Sequence, residues 1–303
     1  MNSNYYGRVL VCIPAFNEAS KIAEIIEKSK KYSYAVIVYD DGSTDGTYEL
    51  ARTAGATVIK SPKNTGYGTA IRALFQAARE QNADIMITLD SDGQHDPDHI
   101  PRLIEPIHKQ NFDIVIGSRF LSKDDKEKIP RYRSLGIKTI TKLTQSASYS
   151  GLTDSQSGFR AYNKNALSKI NLFEDGMAVS TEILLRAREK NLLATEVPIT
   201  VNYGTEDTST HNPIAHGVGV LYSVLQYISL RHPLAFYGLP GIALLGVAAL
   251  FLRNALHLFS TTGYVSTNMI LISIGIAVVG VILLATAAIV YTLIALLKGK
   301  TTN

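Results

Sequence analysis

The sequence predicts an α/β fold, a doubly wound and mostly parallel sheet, followed by two transmembrane helices at the C-terminal end. Three observations predict it. Short, near-continuous apolar runs alternate with amphipathic stretches from residue 8 to residue 117, the pattern of strands buried on both faces by crossover helices. Polar residues rich in Asp, Gly and Ser follow the apolar runs, where an open α/β sheet places its ligands. Nearly all charge lies before Arg253: residues 254–297 contain no Lys, Arg, Asp or Glu.

Taken in order, residues 8–13 read as a buried strand and residues 18–31 as a helix with Ile22, Ile25 and Ile26 on one face. Strand 34–39, helix 45–54, strand 57–60, helix 66–81, strand 84–89, helix 97–110 and strand 113–117 continue the alternation. The single cysteine, Cys12, excludes an internal disulfide and sits in an apolar run as core filler. No repeat or low-complexity tract interrupts the pattern. A net charge of +4, without a Lys/Arg stripe interleaved with aromatics, gives no case for nucleic acid as a partner. Residues 1–8 lack the charged-then-apolar pattern of a secretory signal, so the soluble part is expected to stay on the side where it is made.

The chain therefore divides into a soluble domain (1–210), an amphipathic stretch (211–232) and an apolar pair of spans (233–297). Residues 233–252 form twenty consecutive uncharged positions, and about 20 apolar residues cross a bilayer core as a helix. Residues 269–297 are long enough to cross with some tilt. Arg231 and His232 before the first span, with Lys298 and Lys300 after the second, place both ends in the cytoplasm of a multi-pass cell-membrane protein. A short outer turn near 260–267 follows, although Arg253 opposes the bias. Val218, Leu221, Leu225 and Ile228 recur at helical spacing, as in an interfacial helix or an ordinary packing helix.

Four strand ends carry the chemistry. They read Pro14-Ala15-Phe16-Asn17-Glu18, Asp40 to Thr47, Asp90-Ser91-Asp92-Gly93-Gln94-His95, and Gly117-Ser118-Arg119. Asp45 before Gly46 is helix-start chemistry whatever the function. Asp40 beside Asp41 repels its neighbour unless something uses both. If the strand continues, alternation points Asp90 and Asp92 the same way, about 7 Å apart, as oxygen ligands for Mg²⁺ shared with substrate phosphates. Asn64-Thr65-Gly66-Tyr67-Gly68 opens a helix where bare N–H groups and the dipole favour an anion. Arg119 suits a phosphate through its planar fork, or a structural pair with a rim aspartate.

Together these segments resemble the inverting family 2 glycosyltransferases over roughly residues 8–205. Through Thr153-Asp154-Ser155-Gln156-Ser157-Gly158-Phe159-Arg160 they look most like dolichyl-phosphate mannose and glucose synthases. The resemblance implies a nucleotide-binding, GT-A-like sheet and transfer of a hexose from a nucleotide-sugar donor to a dolichyl or polyprenyl phosphate. It implies that Pro14, Phe16, Asn17, Glu18, Asp40, Asp41, Gly66, Asp90 and Ser91 hold the nucleotide. Asp92 and Gln94 hold Mg²⁺ or Mn²⁺; Arg119, Arg131 and Arg133 receive the lipid phosphate, beside a Lys-rich acceptor loop at 120–130. Asp154 matches a position considered for a base, or it orients the acceptor. The segment 155–163 looks nearer the glucose-type synthases, which favours a UDP-sugar over GDP-mannose.

There is one departure. Where related synthases often carry a basic residue after a strand ending near 203–204, this chain reads Thr205-Glu206-Asp207 onward, with His211 as the available substitute. A processive polysaccharide synthase shares the domain, but its Gln-x-x-Arg-Trp motif is excluded because the chain has no Trp. A nucleotidyltransferase would also use paired Asp and Mg²⁺, releasing pyrophosphate. A non-catalytic membrane subunit would keep the fold for partner binding. The lipid bilayer is an expected partner, and a homo-oligomer is left open.

Overall fold

The computed structural model describes residues 7–121, 141, 149, 151–201, 225, 229 and 232–300, the last six as backbone alone. The chain divides into two compact units, Met1–Tyr222 and Ser223–Asn303. Arg131, Arg133, His211, most of the acceptor loop and nearly all of 211–232 lie outside the described residues.

The first unit is built on β1 (Val9–Ala15), α1 (Ile22–Ser29), β2 (Ala35–Asp40), α2 (Thr47–Thr53), β3 (Thr57–Lys60), α3 (Tyr67–Glu80), β4 (Ile85–Thr88), α4 (Ile100–Gln110) and β5 (Ile114–Ser118). It continues through β6 (Arg160–Asn163), α5 (Lys164–Lys169), α6 (Val179–Glu189) and β7 (Ala194–Pro198). The seven strands lie in the order β3-β2-β1-β4-β6-β5-β7. All neighbours pair in parallel except β6, which is antiparallel to both β4 and β5.

Alternation along β1 divides the core in two. Val9, Val11 and Ile13 pack with Ile22, Ile25 and Ile26 of α1, Ala51 of α2, and Leu103 and Ile104 of α4. Leu10 and Cys12 face the other layer, with Leu74 and Phe75 of α3, Leu167 of α5, and Ile183 and Leu184 of α6. Cys12 is fully buried, and burial pushes its thiol up.

Two helix starts differ from expectation. The helix expected from residue 18 begins at Ile22 because residues 17–19 are tied to residues 43–47. The helix expected over 97–110 opens with a 3₁₀ turn, Pro97–His99, capped by Asp96, whose side chain accepts from the Asp98 N–H. Of the strand expected near 203–204, only Val201 is described, in an isolated bridge to His95.

The second unit holds α7 (Leu239–Thr262) and α8 (Thr267–Lys300). A wider π-type turn, Leu234–Gly238, leads into α7. Pro240, lacking an N–H for the carbonyl four residues back, accounts for that irregularity. Two segments, Leu234–Thr262 and Thr267–Ile294, are long and apolar enough to cross a membrane, with 17% and 11% of their most apolar windows buried. Lipid, rather than protein, is the medium that suits so much exposed apolar surface. Gly241 and Gly280 let the two helices touch: a Cβ on either would stand 3.0 Å from the other's carbonyl oxygen. Ser273 Oγ donates to Ala248 O at 2.8 Å across the same pair. Gly263, with φ +71°, ends α7 in the left-handed conformation that a side chain disfavours.

Candidate active site

The C-terminal ends of β1, β2 and β4 open onto one rim. Because β6 runs against its neighbours, its N-terminal end reaches the same rim: Arg160 pairs in register with Thr88 and Ile116. The segment 153–159 is thereby delivered beside residues 89–95 and 117–120.

The turns after β1 and β2 are fastened to one another. Asn17, left-handed at φ 56°, donates its N–H to Ser43 Oγ, and its Oδ1 accepts from Thr44 N. Glu18 N donates to Thr47 Oγ1 at 2.8 Å. Asp45 accepts from Thr47 N and from Ala19 N, but Gly46 rather than Asp45 is the N-cap of α2. Pro14 O accepts from Ser91 Oγ at 2.9 Å, joining this rim to the turn after β4. Phe16 is half-buried beside it.

Asp40 and Asp41 have different fates. Asp41 is spent on the protein: Oδ1 accepts from Thr65 N and Oγ1, and Oδ2 accepts from Gly66 N at 2.8 Å. Asp40 Oδ1 accepts from Ser43 N, but Oδ2 is buried without a hydrogen-bond partner among the described residues. The anion cradle expected at Gly66 is corrected by the same contacts. The Gly66 N–H goes to Asp41, while the Gly68 and Thr69 N–H groups donate to Asp175 O at 2.9 and 3.3 Å. An acidic side chain and a facing carbonyl thus take three of the N–H groups at that helix end.

After β4 the extended alternation expected through Asp92 fails. The strand ends at Thr88 and residues 91–93 turn, with Gly93 at φ +76° and Asp92 Oδ1 accepting from Gln94 N at 2.9 Å. Asp90 Oδ1 accepts from Tyr67 Oη at 3.0 Å, and Oδ2 lies 3.5 Å from His95 Nδ1. His95 is buried against the Phe159 ring, 5.4 Å between centroids. Burial lowers its pKa to about 4 against the opposing charge of Asp92. Burial, then the charges of Asp92, Asp45 and Asp90, push Glu18 up to about 7. Those carboxylates crowd enough negative charge together for a divalent cation to be welcome, and the oxygen donors of Asp92 and Gln94 suit Mg²⁺ or Mn²⁺. Among the described residues no three His, Cys, Asp or Glu side chains gather as a complete metal cage. A cation held here would need further ligands, such as phosphate oxygens and water.

Arg119 forms a buried pair with Asp154, which the loop before β6 brings to the rim. Its Nε and Nη2 donate to Asp154 Oδ2 and Oδ1 at 2.6 and 2.7 Å, and its backbone N–H reaches Oδ2 at 3.2 Å. Both side chains are buried, Asp154 fully. Burial alone would raise Asp154, but the Arg119 charge and hydrogen bonds hold it below the usual carboxylate range. Glu196 completes the arrangement, accepting from Thr153 N, Thr153 Oγ1 and Asp154 N at 2.7 Å each. Sequence reading gave no role to Tyr67, His95, Gly158, Arg160 or Glu196. His95, Gly158 and Arg160 stood in the quoted motifs, whereas Glu196 in Ala194–Pro198 carries no local signal.

The family model "Glycosyl transferase family 2" matches residues 10–170. An uncharacterized protein of Methanocaldococcus jannaschii is 33% identical over 221 residues, 72% of this chain and 91% of that one. The UDP-N-acetylglucosamine–dolichyl-phosphate N-acetylglucosaminyltransferase of Methanococcus voltae is 29% identical over 238 residues, 72% and 95% of the two chains. The dolichol-phosphate mannosyltransferase of Pyrococcus furiosus is 31% identical over 203 residues, 64% of this chain and 56% of that one. Among solved structures, glucosyl-3-phosphoglycerate synthase of Mycobacterium tuberculosis superposes with a TM-score of 0.58 at 20% identity, covering 72% of this chain and 79% of that one. The same enzyme in complex with Mg²⁺ and uridine diphosphate gives 0.55 at 20% identity, with 72% and 78% covered.

Proposed function

We propose a reaction from one premise: this chain belongs to glycosyltransferase family 2, and its relatives include enzymes named for transferring sugars to dolichyl and polyprenyl phosphates. The reaction is a single in-line displacement with inversion. A phosphate oxygen of a polyprenyl phosphate bonds to the anomeric carbon of a hexose, and the bond from that carbon to a nucleoside diphosphate breaks. The observation that carries this reading is Asp40 Oδ2, a buried carboxylate oxygen at the strand rim without a donor from the described protein. Burying such an oxygen unpaired is costly, and a base N–H or a ribose hydroxyl would satisfy it. Pro14, Phe16, Asn17, Glu18 and Ser91 line the same rim, and Asp90 faces the nucleotide beside them.

Asp92 and Gln94 would hold Mg²⁺ or Mn²⁺, which when bound stabilises the charge of the departing diphosphate. Arg119 serves the phosphates from the neighbouring strand end, and Asp154 orients it. Held ionised by that pair, Asp154 has little affinity for a proton at neutral pH. The acceptor needs none removed: a phosphate monoester, with a second pKa near 6, is already largely ionised. Arg131 and Arg133 keep the lipid-phosphate role that the resemblance gives them, and His211 is the available substitute for the basic residue that related synthases place on the donor phosphates. The donor is a UDP-sugar, glucose or an N-acetylhexosamine ahead of mannose, a preference supported by the UDP-N-acetylglucosamine donor for which the Methanococcus voltae relative is named. The two apolar helices would hold the enzyme in the membrane with both ends cytoplasmic, where a lipid acceptor arrives along the interface.

Transfer of radiolabel from UDP- and GDP-sugars to dolichyl phosphate, with Mn²⁺ and with EDTA, tests the proposal. Metal-dependent label in the lipid phase is the expected result. Free sugar alone, or no turnover across the panel, would remove the lipid acceptor.

A further inference from the structure

The segment Ser157-Gly158-Phe159-Arg160 meets the turn after β4 where Phe159 packs on His95 and where Gly158 lies against Asp90. A Cβ built on Gly158 would fall on both Asp90 carboxylate oxygens and within 2.7 Å of Cγ. The absence of a side chain at residue 158 is therefore what lets the carboxylate lie where it does. From the other side Tyr67 Oη donates to Oδ1 at 3.0 Å. The negative charge it faces helps to keep that phenol protonated, since burial and then Asp90 raise its pKa well above the usual value.

The floor beneath Asp90 is fixed. Thr88 Oγ1 donates to Gly158 O at 2.7 Å. Arg160, 1% exposed, spends its guanidinium on three carbonyls: Nε on Ser157 O at 2.8 Å, Nη2 on Ser155 O at 2.7 Å and Nη1 on Ser180 O at 3.0 Å. A buried cation so fully bonded to backbone is a rigid tie rather than a ligand group. It locks the loop on which Gly158 sits to both β6 and α6.

We propose that Gly158 and Tyr67 are positioning residues that seat the Asp90 carboxylate for the donor nucleotide. The inference rests on the reading that Asp90 faces that nucleotide, and adds the residues that decide where its oxygens point. Gly158→Ala is a selective perturbation. The residue has an ordinary φ, so the alanine brings no backbone strain, and the atoms it strikes are the end of a side chain. The carboxylate swings away and the fold remains.

The test uses the full chain in detergent micelles, with Gly158→Ala, Tyr67→Phe, Asp90→Ala and the double variant Gly158→Ala/Asp90→Ala. UDP affinity with Mn²⁺ is measured by calorimetry, and melting temperature without nucleotide. Gly158→Ala and Tyr67→Phe should each weaken UDP by about tenfold, the scale of one hydrogen bond to a charged group. In the Asp90→Ala background Gly158→Ala should change affinity less than about twofold, because no carboxylate is left to displace. The melting temperatures should follow the same cycle, with a fall of about 2–4 °C in Gly158→Ala that vanishes when Asp90 is Ala. Additive effects in both cycles would overturn the seat. Coupled melting temperatures in a wild-type chain that binds no nucleoside diphosphate would keep the seat and overturn the donor reading on which its purpose rests.

Discussion

Asp154→Asn separates two roles that one carboxylate could play. In the structure both members of the Arg119–Asp154 pair are buried, 7% and 0% exposed, and joined by two side-chain bonds of 2.6 and 2.7 Å. Neutralising Asp154 leaves the guanidinium buried with its counter-charge gone, which costs about 3–5 kcal/mol when one partner of such a pair is removed. At about 2–4 °C per kcal/mol for a domain of this size, the melting temperature should fall by about 6–20 °C. The assay is thermal unfolding of the solubilised protein by circular dichroism, with Arg119→Met and the double variant completing a cycle. The double variant should recover at least half of the loss, because removing both charges removes the uncompensated one. The pH dependence has a defined sign. The folded-state pKa of Asp154 is lowered, so its contribution is present above the unfolded value, about 3.9, and is lost as pH falls through the folded one. The gap between wild type and Asp154→Asn should therefore narrow below about pH 4. An unchanged melting temperature in Asp154→Asn, or additive losses in the cycle, would refute the buried lock. A limb of the pH–rate profile near neutrality that disappears in Asp154→Asn would make the residue a titrating base instead.

Two further outcomes follow from the rim. Asp40→Asn should weaken uridine diphosphate by about 10–100-fold, the scale of a charged hydrogen bond, while leaving the ligand-free protein as stable or slightly more so, because a buried unpaired oxygen becomes neutral; calorimetry and melting curves read the two signs separately, and loss of both together would make Asp40 structural. For Glu18, raised to about 7 by burial and then by Asp92, Asp45 and Asp90, the folded state holds a proton that the unfolded state gives up near 4.5. Its contribution is thus full at low pH and is lost as pH rises toward 7, so a stability–pH scan of metal-free protein should slope downward across that window and Glu18→Gln should flatten it. Identical slopes in the two proteins would place Glu18 outside the cluster.

What the sequence made legible, and what it did not, separates by the range of the interactions concerned. The strands of the first unit declare themselves through continuous apolar runs, since a strand covered on both faces has no polar side to show. β6 hides because Arg160 and Asn163 interrupt its apolar character, and a four-residue strand with a buried arginine is intelligible only once three carbonyls from residues 155, 157 and 180 are seen to surround the guanidinium. Its reversed direction matters most for the site, because it turns the preceding loop toward the rim. Strand-end carboxylates were legible for a similar local reason: polar residues directly after a strand have few places to go but the rim.

Which of those carboxylates face a ligand was not legible. Asp40 and Asp41 are neighbours in sequence and equals in composition, yet Asp41 is consumed by Thr65 and Gly66 while an oxygen of Asp40 is left buried without a donor among the described residues. Asp154 likewise meets Arg119 across 35 residues of chain and Glu196 across 42. Each of these assignments is settled by a partner supplied from another loop. An acid with every oxygen bonded to its own fold holds a loop in place, whereas one with a buried oxygen still open stores an unfavourable desolvation that only a ligand relieves. Asp41, Asp45 and Asp154 thus build walls of the rim, while Asp40, with an oxygen left open among the described residues, is where we propose that the donor enters.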